Sequence, residues 1–505
     1  MDRRNFVKTS ALLTLPMILK SCHWQTEEAS YDIEVDSDAG TGHLIYKSAS
    51  FEKGSTLETE YLIVGGGIAG MTAANQLSGK DFLLCELSEK LGGSSSAVEF
   101  NGMGISQGAH YDLSYPKGYG EEVLTFLNKL DVVEYHQWSD SWSFKDQQHI
   151  ILHRRKNQCF DHGELRKDVL EEGAVKDSFL KLLENYTGGM HLPTRIIEKK
   201  YQHLNTSTFL DFLQKEIPLD EAFIKGLDYH MKDDYGAGCA DVSALAGIHY
   251  FKCRPYYNEI VELFSPPEGN QYFIDKMASQ VDTDRLMTSH LVKKIEEEND
   301  GFRVEVIDVK AKALKVIKAK KVIYAGQKHA LKYIYPEGYE LFSENNSSPW
   351  MVVNIVIENT IATPAFWQNE MLTNDPSFMG FIDSGAQHSS QSKYRTLSAY
   401  YCLPATSRKD LLNVDADKNV IAASTIKHIS EYFKEDINNK VVKVYIKVMG
   451  HAMPIPTPGY LFNDKNQYRS NKNIVYAGVD NTRLPLFYEA VDSGLEAVKR
   501  LFEVN

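Results

Sequence analysis

The sequence predicts an α/β fold, and three observations predict it. Tyr61-Leu62-Ile63-Val64 is a short, continuous apolar run, as a central parallel strand shows, and it leads through Gly65-Gly66-Gly67 into a helical stretch, Met71 to Leu77. Phe82-Leu83-Leu84-Cys85 is a second such run and completes a strand–helix–strand unit. Near the far end, Asn473-Ile474-Val475-Tyr476-Ala477-Gly478 repeats the strand-to-glycine step. A helix from about Leu486 to Phe502 follows, with Ala490, Val491, Leu495, Val498 and Leu501 at helical spacing.

Composition sets the bounds. The 505 residues are 43% hydrophobic and 11% aromatic, ordinary for a globular protein and unlike collagen-like, disordered or disulfide-scaffold chains. At roughly 150 residues per domain the length allows about three domains, or two large ones. Lys+Arg is 55 against 68 Asp+Glu, a net charge of −13. Phosphate binding needs clustered lysine and arginine, so this balance excludes a nucleic-acid partner and favours a cationic small molecule.

The N-terminus reads as an export signal. Arg3-Arg4-Asn5-Phe6-Val7-Lys8 precedes a short apolar stretch, Thr9 to Leu19, interrupted by Pro16 and far shorter than a membrane-spanning helix needs. The paired arginines with Phe6 and Lys8 resemble the signal read by the bacterial twin-arginine export machinery. Leu19-Lys20-Ser21-Cys22 resembles a lipobox, although Lys20 departs from the usual small or apolar residue. The expectation is a lipoprotein lipidated at Cys22 and tethered on the periplasmic side of a membrane. Residues 1–22 are then the signal, and 23–56 a tether with an early edge segment. The remaining cysteines, Cys85, Cys159, Cys239, Cys253 and Cys402, are widely spaced and form no disulfide framework. His149, His153, Cys159 and His162 invite a metal reading, but His149-Ile-Ile-Leu-His153 alternates as a strand and Lys156-Asn157-Gln158 suits its turn. A surface hairpin with no metal is the expectation.

The glycines of Gly65-Gly66-Gly67-Ile68-Ala69-Gly70 meet the GxGxxG pattern with Gly65, Gly67 and Gly70. Gly65 permits a tight turn, Gly67 lets the backbone approach a pyrophosphate, and Gly70 lets the helix pack close to the strand. The start of the helix, at Ile68 and Ala69, offers free N–H groups and a positive dipole end. Glu86, at the end of the second strand, can accept the hydroxyls of an adenosine ribose and disfavours a 2′-phosphate. Strand, glycines, helix, second strand and acid in one unit identify a dinucleotide site. The following Leu87-Ser88-Glu89-Lys90-Leu91-Gly92-Gly93-Ser94 chooses between cofactors. A glycine pair there lets the backbone pass a second phosphate or a ribityl chain, which NAD does not need and FAD does.

Val64 to Gly70, Glu86, Leu91-Gly92-Gly93-Ser94-Ser95, Gln107-Gly108-Ala109-His110 and the terminal Tyr476-Ala477-Gly478 with Glu489-Ala490-Val491-Asp492-Ser493-Gly494 together resemble the FAD-dependent amine oxidase superfamily, which includes protoporphyrinogen oxidases and carotenoid desaturases. The resemblance spans roughly residues 57–505. Asp241 to Phe251, Pro267-Glu268-Gly269-Asn270, Ser348 to Asn354 and Gly450 to Pro454 are similar to an exported bacterial branch of FAD-dependent oxidoreductases. The resemblance implies a discontinuous Rossmann-like FAD-binding domain (57–115, 266–335 and 451–505). This is interleaved with an α+β substrate domain of a mixed sheet plus helices (116–265 and 336–450). Residues 116–265 read as largely helical, with Phe209, Leu210, Leu213 and Ile217 on one face before Pro218. The resemblance further implies that the Val292 backbone holds the adenine, and that Gly478, Asp480 and Phe487 serve the flavin end. No cysteine lies beyond Cys402, so FAD is expected to be non-covalent.

Chemistry in such proteins is hydride transfer from a C–H bond to flavin N5, with the protein supplying orientation. Many members hold a water near N5 with a lysine, on a strand that leads to a Phe-Trp pair. Here Val352-Val353-Asn354-Ile355-Val356 leads to Phe366-Trp367, and Asn354 stands at the lysine position. The aromatic residues that flank the flavin of monoamine oxidases have no tyrosine counterpart in Pro454-Ile455-Pro456 or Leu484-Pro485-Leu486, although Phe487 and Tyr488 adjoin. A simple monoamine oxidase is therefore not expected. Among His110, His249, His388 and His451, His110 ranks first because its motif lies near the flavin in the family. The expectation is oxidation of an amine or polyamine, with oxygen or a quinone as electron acceptor and Asn354 and His110 as catalytic candidates. The alternatives are a desaturase-like or protoporphyrinogen oxidase-like enzyme on an apolar substrate, or a flavin-binding scaffold without turnover.

Overall fold

The computed structural model describes residues 31–47, 50–110, 112–113, 118–154, 159–253, 260–361, 366–387 and 392–503. Cys22 and the leader, and His388, lie outside the described residues. Along the chain, β1 (Asp32–Ser37) precedes β2 (Glu52–Val64), α1 (Ile68–Gln76) and β3 (Phe82–Cys85). Next come α2 (Phe209–Glu216), α3 (Glu221–Tyr235), α4 (Ala244–Cys253) and α5 (Gln271–Ala278). A second sheet-forming stretch supplies β4 (His290–Glu298), β5 (Gly301–Asp308), β6 (Ala313–Tyr324), β7 (Ser347–Glu358), β8 (Gln368–Leu372), β9 (Phe378–Asp383) and β10 (Tyr394–Cys402). α6 (Val414–Phe433), β11 (Val441–Pro454), β12 (Ile474–Tyr476) and α7 (Phe487–Phe502) complete the chain.

One sheet is the nucleotide-binding layer. β2 lies between β3 and β6, all parallel, with Tyr61 opposite both Phe82 and Lys321. The β4–β5 hairpin pairs antiparallel with the first half of β6, and β12 runs parallel beside its last three residues. Residues Leu62 to Val64 are buried on both faces, so the strand is apolar without alternation. α1 and α7 cross on one face through Ala69, Ala73, Ala497 and Leu501. The crossing is close: a Cβ on Gly494 would lie 2.5 Å from the Ala69 carbonyl oxygen.

The larger sheet has the order β1-β11-β7-β10-β9-β8 and then the pair Cys159–Asp161 and Glu164–Arg166. Alternation in β7 divides its two faces. Met351, Val353, Ile355 and Ile357 pack on Ile421, Ile426 and Ile429 of α6. Trp350 and Val352 belong to the core shared with the nucleotide-binding layer, and Asn354 shares their face. α2, α3 and α4 form a helical layer around Phe179, Phe209, Phe223 and Phe251. Thr208 and Asp220 cap α2 and α3 by accepting from Asp211 N (3.1 Å) and Phe223 N (2.8 Å).

Two expectations change. Residues 116–265 also carry strands, among them Val133–His136, Ser141–Phe144 and Ile260–Phe264. The hairpin expected across 149–162 does not form: Ile150–Arg154 pairs with Ile260–Phe264, whereas Cys159–Asp161 joins the larger sheet beside β8. Fully buried Cys159 and Phe160 explain the separation, because a surface hairpin would leave both in water. Among the described residues no helix is long and apolar enough to cross a membrane.

Candidate functional site: a nucleotide cradle facing a sheet

The site begins where β2 ends. Gly65 has φ +102°, and its N–H donates to the Cys85 carbonyl at 2.8 Å. A Cβ on Gly70 would fall 1.9 Å from the Gly65 oxygen, so helix and strand meet only because that atom is missing. Gly67 is the N-cap of α1 and no side chain caps it, which leaves the first N–H groups, at Ile68 and Ala69, for a ligand. The second glycine pair closes on the first. Gly92 N donates to Gly66 O at 2.9 Å, and a Cβ on Gly93 would lie 3.7 Å from the Gly67 Cα. Gly92 and Gly93 have φ of +127° and +58°, which carry the chain past Ser94 as a bare backbone wall.

Glu86 is buried, and both its carboxylate oxygens face backbone donors: Oε2 accepts from Gly66 N (2.7 Å) and Oε1 from Ser88 N (2.8 Å). Burial raises its pKa while those two N–H groups pull against the rise. Leu87 continues this edge. His290 N donates to the Glu86 carbonyl at 2.7 Å, which places the start of β4, with Val292 and its bulge, beside the same end.

The other end lies between three loops. Ala109 N donates to Ser94 O (3.0 Å) and Asn270 N to Ala109 O (2.9 Å). Asn354 reaches in from β7, fully buried, with Nδ2 donating to Ser106 O at 3.0 Å. Its Oδ1 has no hydrogen-bond partner among the described residues, nor have Ser96 Oγ, Asn270 Oδ1, Gln271 Oε1 or His110 Nε2. These five buried polar atoms lie on or beside the loops that carry Gly92, Ser106 and Ala109, where a polar ligand would satisfy them. Burial lowers the His110 pKa to about 4, so the imidazole is neutral at neutral pH.

Gly478 (φ +119°) lets its turn approach closely, and its N–H donates to Ser493 Oγ at 2.9 Å. Asp480 is engaged by the protein: Oδ1 accepts from buried Lys328 Nζ and Oδ2 from Lys328 N, each at 2.8 Å. Sequence reasoning did not find Lys328, because nothing local marks a lysine after Ala325-Gly326-Gln327 as a partner for residue 480. The aromatics that open α7 are already packed. Phe487 sits 4.0 Å from Phe273 and Tyr488 4.9 Å from Tyr119, ring centroid to centroid. Behind them, Arg483 pairs with Glu489 (3.3 Å) and Asp492, and Thr194 N donates to Glu489 Oε1 (2.7 Å), tying the helix start to the helical layer.

Two of the other candidate histidines have protein partners. His249 is buried and bonds the His191 carbonyl (3.1 Å), and His451 stacks on His329 at 3.5 Å, away from Asn354. The sheet supplies an aromatic pair missed in the sequence. Trp350 lies parallel to Tyr400 at 6.1 Å, on the face that carries Asn354. Gln368 Nε2 lies 3.2 Å from Tyr400 OH and 3.4 Å from Asp233 Oδ2.

The paired glycine loops, the buried acid at one end and the unpartnered polar atoms at the other fit FAD. The comparisons agree. The family model described as flavin containing amine oxidoreductase matches residues 68–501. A putrescine oxidase structure covers 89% of this chain and 100% of its own at 14% identity, TM-score 0.62. Cyclohexylamine oxidase from Brevibacterium oxydans IH-35A covers 88% and 99% at 14% identity, TM-score 0.62. An Exiguobacterium sp. 255-15 protein named for protoporphyrinogen oxidase covers 90% and 100% at 14% identity, TM-score 0.61. At these identities the structures show a shared fold. No curated protein matches this chain.

Proposed function

Since the chain belongs to the flavin containing amine oxidoreductases, and is therefore an FAD-dependent oxidoreductase, we propose that it oxidises a small amine or polyamine, with oxygen or a quinone as final electron acceptor. FAD, when bound, supplies the acceptor for the hydride equivalent leaving the carbon beside the nitrogen. The glycine loops and the free N–H groups of α1 hold its phosphates, and Glu86 holds its ribose. Without a later cysteine to bond the flavin, the cofactor is held non-covalently.

One observation carries the amine: the parallel Trp350–Tyr400 pair on the Asn354 face of the sheet, with Gln368 linking Tyr400 to Asp233. Flat aromatic faces beside a carboxylate suit an ammonium or alkylamine. Asn354 Nδ2 is spent on Ser106, which leaves Oδ1 to accept a hydrogen bond from the substrate nitrogen or a water. An amide cannot take a proton, and burial leaves His110 too weak a base to take one from an ammonium, so the nitrogen that reacts must arrive unprotonated, while a second, protonated nitrogen of a polyamine suits the aromatic faces. The apparent kcat/KM should then rise with pH towards the amine's own pKa.

Anaerobic mixing of the holoenzyme with an amine panel, read as loss of absorbance near roughly 450 nm, tests the proposal. Bleaching by putrescine-like or cycloalkyl amines supports it. Bleaching by a porphyrinogen or a polyene alone would favour the second reading, an apolar-substrate oxidase. That reading is motivated by the absence of tyrosine at Pro454-Ile455-Pro456 and Leu484-Pro485-Leu486. Export with lipidation at Cys22 is part of the same proposal; Cys22→Ser should move the protein from the membrane fraction to the soluble one.

A further inference from the structure

The N-terminal segment does more than lead to β2. β1 adds to the edge of the larger sheet, parallel to β11, with Asp32 opposite Lys443 and Asp36 opposite Lys447. Ile33 is buried against the α6 face, and Lys443 pairs with Asp32 (2.7 Å) and Glu34 (3.2 Å). Lys447 is 5% exposed and pairs with Asp36 (2.9 Å) and Asp38 (3.5 Å). Burial works against its ammonium, but Asp38 and Asp36 keep its pKa above the ordinary lysine value, so the cluster stays charged.

At Asp38 the chain leaves the sheet and crosses to the nucleotide-binding layer. Ser88 Oγ donates to Asp38 Oδ1 at 2.8 Å, and Ser88 N donates to Glu86 Oε1 at 2.8 Å. Asp38 is close enough to Glu86 to push its pKa up. The segment continues through a short helical turn, Ala39–Gly42, and a second, His43–Ile45. Ile45 packs on the cluster that holds Cys85 and Val292, and Tyr46 meets Tyr333 at 5.1 Å. Residues 32–46 thus span from the edge of one domain past the carboxyl end of β3, where an open α/β sheet binds its ligand, to the helical turn Leu331–Ile334 that follows β6.

We infer that Asp32–Tyr46 is a clamp on the adenosine end of the cofactor site, in which Asp38 is a positioning residue that acts through Ser88 to hold the Glu86 carboxylate for the ribose. The inference rests on the assignment of FAD to the glycine cradle. Nothing in the dinucleotide motif requires such a clamp. It makes cofactor retention depend on a segment outside that motif, and it joins the two domains by the relay Lys447–Asp38–Ser88–Glu86. Two carboxylates at this end also strengthen exclusion of a 2′-phosphate.

The test titrates FAD into flavin-stripped, full-length protein and reads flavin fluorescence, with apo-protein melting followed in parallel. Asp38→Ala should weaken FAD binding about 10- to 100-fold, the worth of one charge-assisted hydrogen bond. Asp38→Asn keeps an acceptor for Ser88 Oγ and should stay within about threefold of the parent. Ser88→Ala should match Asp38→Ala, and the double variant should be no worse than either, because both break one relay. Wild-type affinity in Asp38→Ala, or losses that add in the double variant, would overturn the clamp. So would an apo melting temperature that falls in proportion to the loss of affinity. Failure of the parent protein itself to take up FAD would refute the cofactor assignment instead, a separate outcome.

Discussion

Gly67 and Gly70 stand three residues apart in one motif, yet the structure gives them opposite consequences. A Cβ at Gly67 meets nothing nearer than Gly92 O at 3.8 Å, and its backbone (φ −75°, ψ −175°) is extended and open to any residue. Gly67→Val therefore costs the fold little more than a poorer helix cap, about 1 kcal/mol or less. Its isopropyl group, however, fills the space before the free N–H groups of α1. Losing two charge-assisted bonds to phosphate, at about 1.5–3 kcal/mol each, weakens FAD binding by about 3–6 kcal/mol, or about 10²- to 10⁴-fold. Gly70→Ala does the reverse: its Cβ at 1.9 Å from Gly65 O forces the β2–α1 backbone apart, an overpacking cost of about 1–3 kcal/mol or more paid by the apo fold. The assay compares the 450-to-280 nm absorbance ratio of the purified protein with urea unfolding of the apo protein. Wild-type flavin content in Gly67→Val, or apo destabilisation equal to that of Gly70→Ala, would refute this division of labour.

Other outcomes follow from the same geometry. Asn354→Leu keeps the volume but removes both the bond to Ser106 O and the free Oδ1; flavin content should hold while kcat/KM for amines falls about tenfold or more in steady-state assays. Trp350→Ala should raise KM for cationic amines about 5- to 30-fold with a smaller effect on kcat, as loss of a desolvated aromatic face predicts. Lys328→Met removes the ammonium that pairs with Asp480 Oδ1 and bonds the Ala477 carbonyl, leaving only the residue-328 N–H on the carboxylate, and should cost about 3 kcal/mol in urea unfolding, part of it restored by adding Asp480→Asn. His110 titrates near 4 in the folded chain and near 6.5 unfolded, so the unfolded state binds the extra proton as pH falls through that window. Its contribution is complete above pH 6.5 and lost towards pH 4. His110→Gln should therefore lose about 2 kcal/mol less than wild type when unfolding is measured at pH 4.5 and at pH 7.

The parts of the site that could be read from sequence share a property: their chemistry is local. Gly65 to Gly70 form one turn and one helix start, and Glu86 follows a strand that must lie beside β2. A contiguous stretch therefore carried its own geometry, and a parallel strand–helix–strand unit leaves little choice of arrangement. The same holds for α7, whose apolar spacing marked its buried face. What stayed hidden depends on pairings between distant segments. Cys159 and Phe160 looked like the return of a local hairpin, but strand pairing follows burial as well as proximity, and β8 offered a buried edge. Lys328 and Asp480 each look like surface charges until the β6–β12 pairing places their turns together.

Asp38 shows the limit most sharply. Read alone, Asp32 to Asp38 alternates acidic residues with Ile33 and Val35, which suits the early edge segment expected within the tether but names no partner strand. Its place in the sheet comes from Lys443 and Lys447 on β11, four residues apart, which match Asp32 and Asp36 pair for pair. A segment's pattern can thus mark a strand while its place is specified by the strand it adds to. The cofactor motif of such a chain is legible, while the groups that would hold its ends have to be sought where other parts of the chain fold back over it.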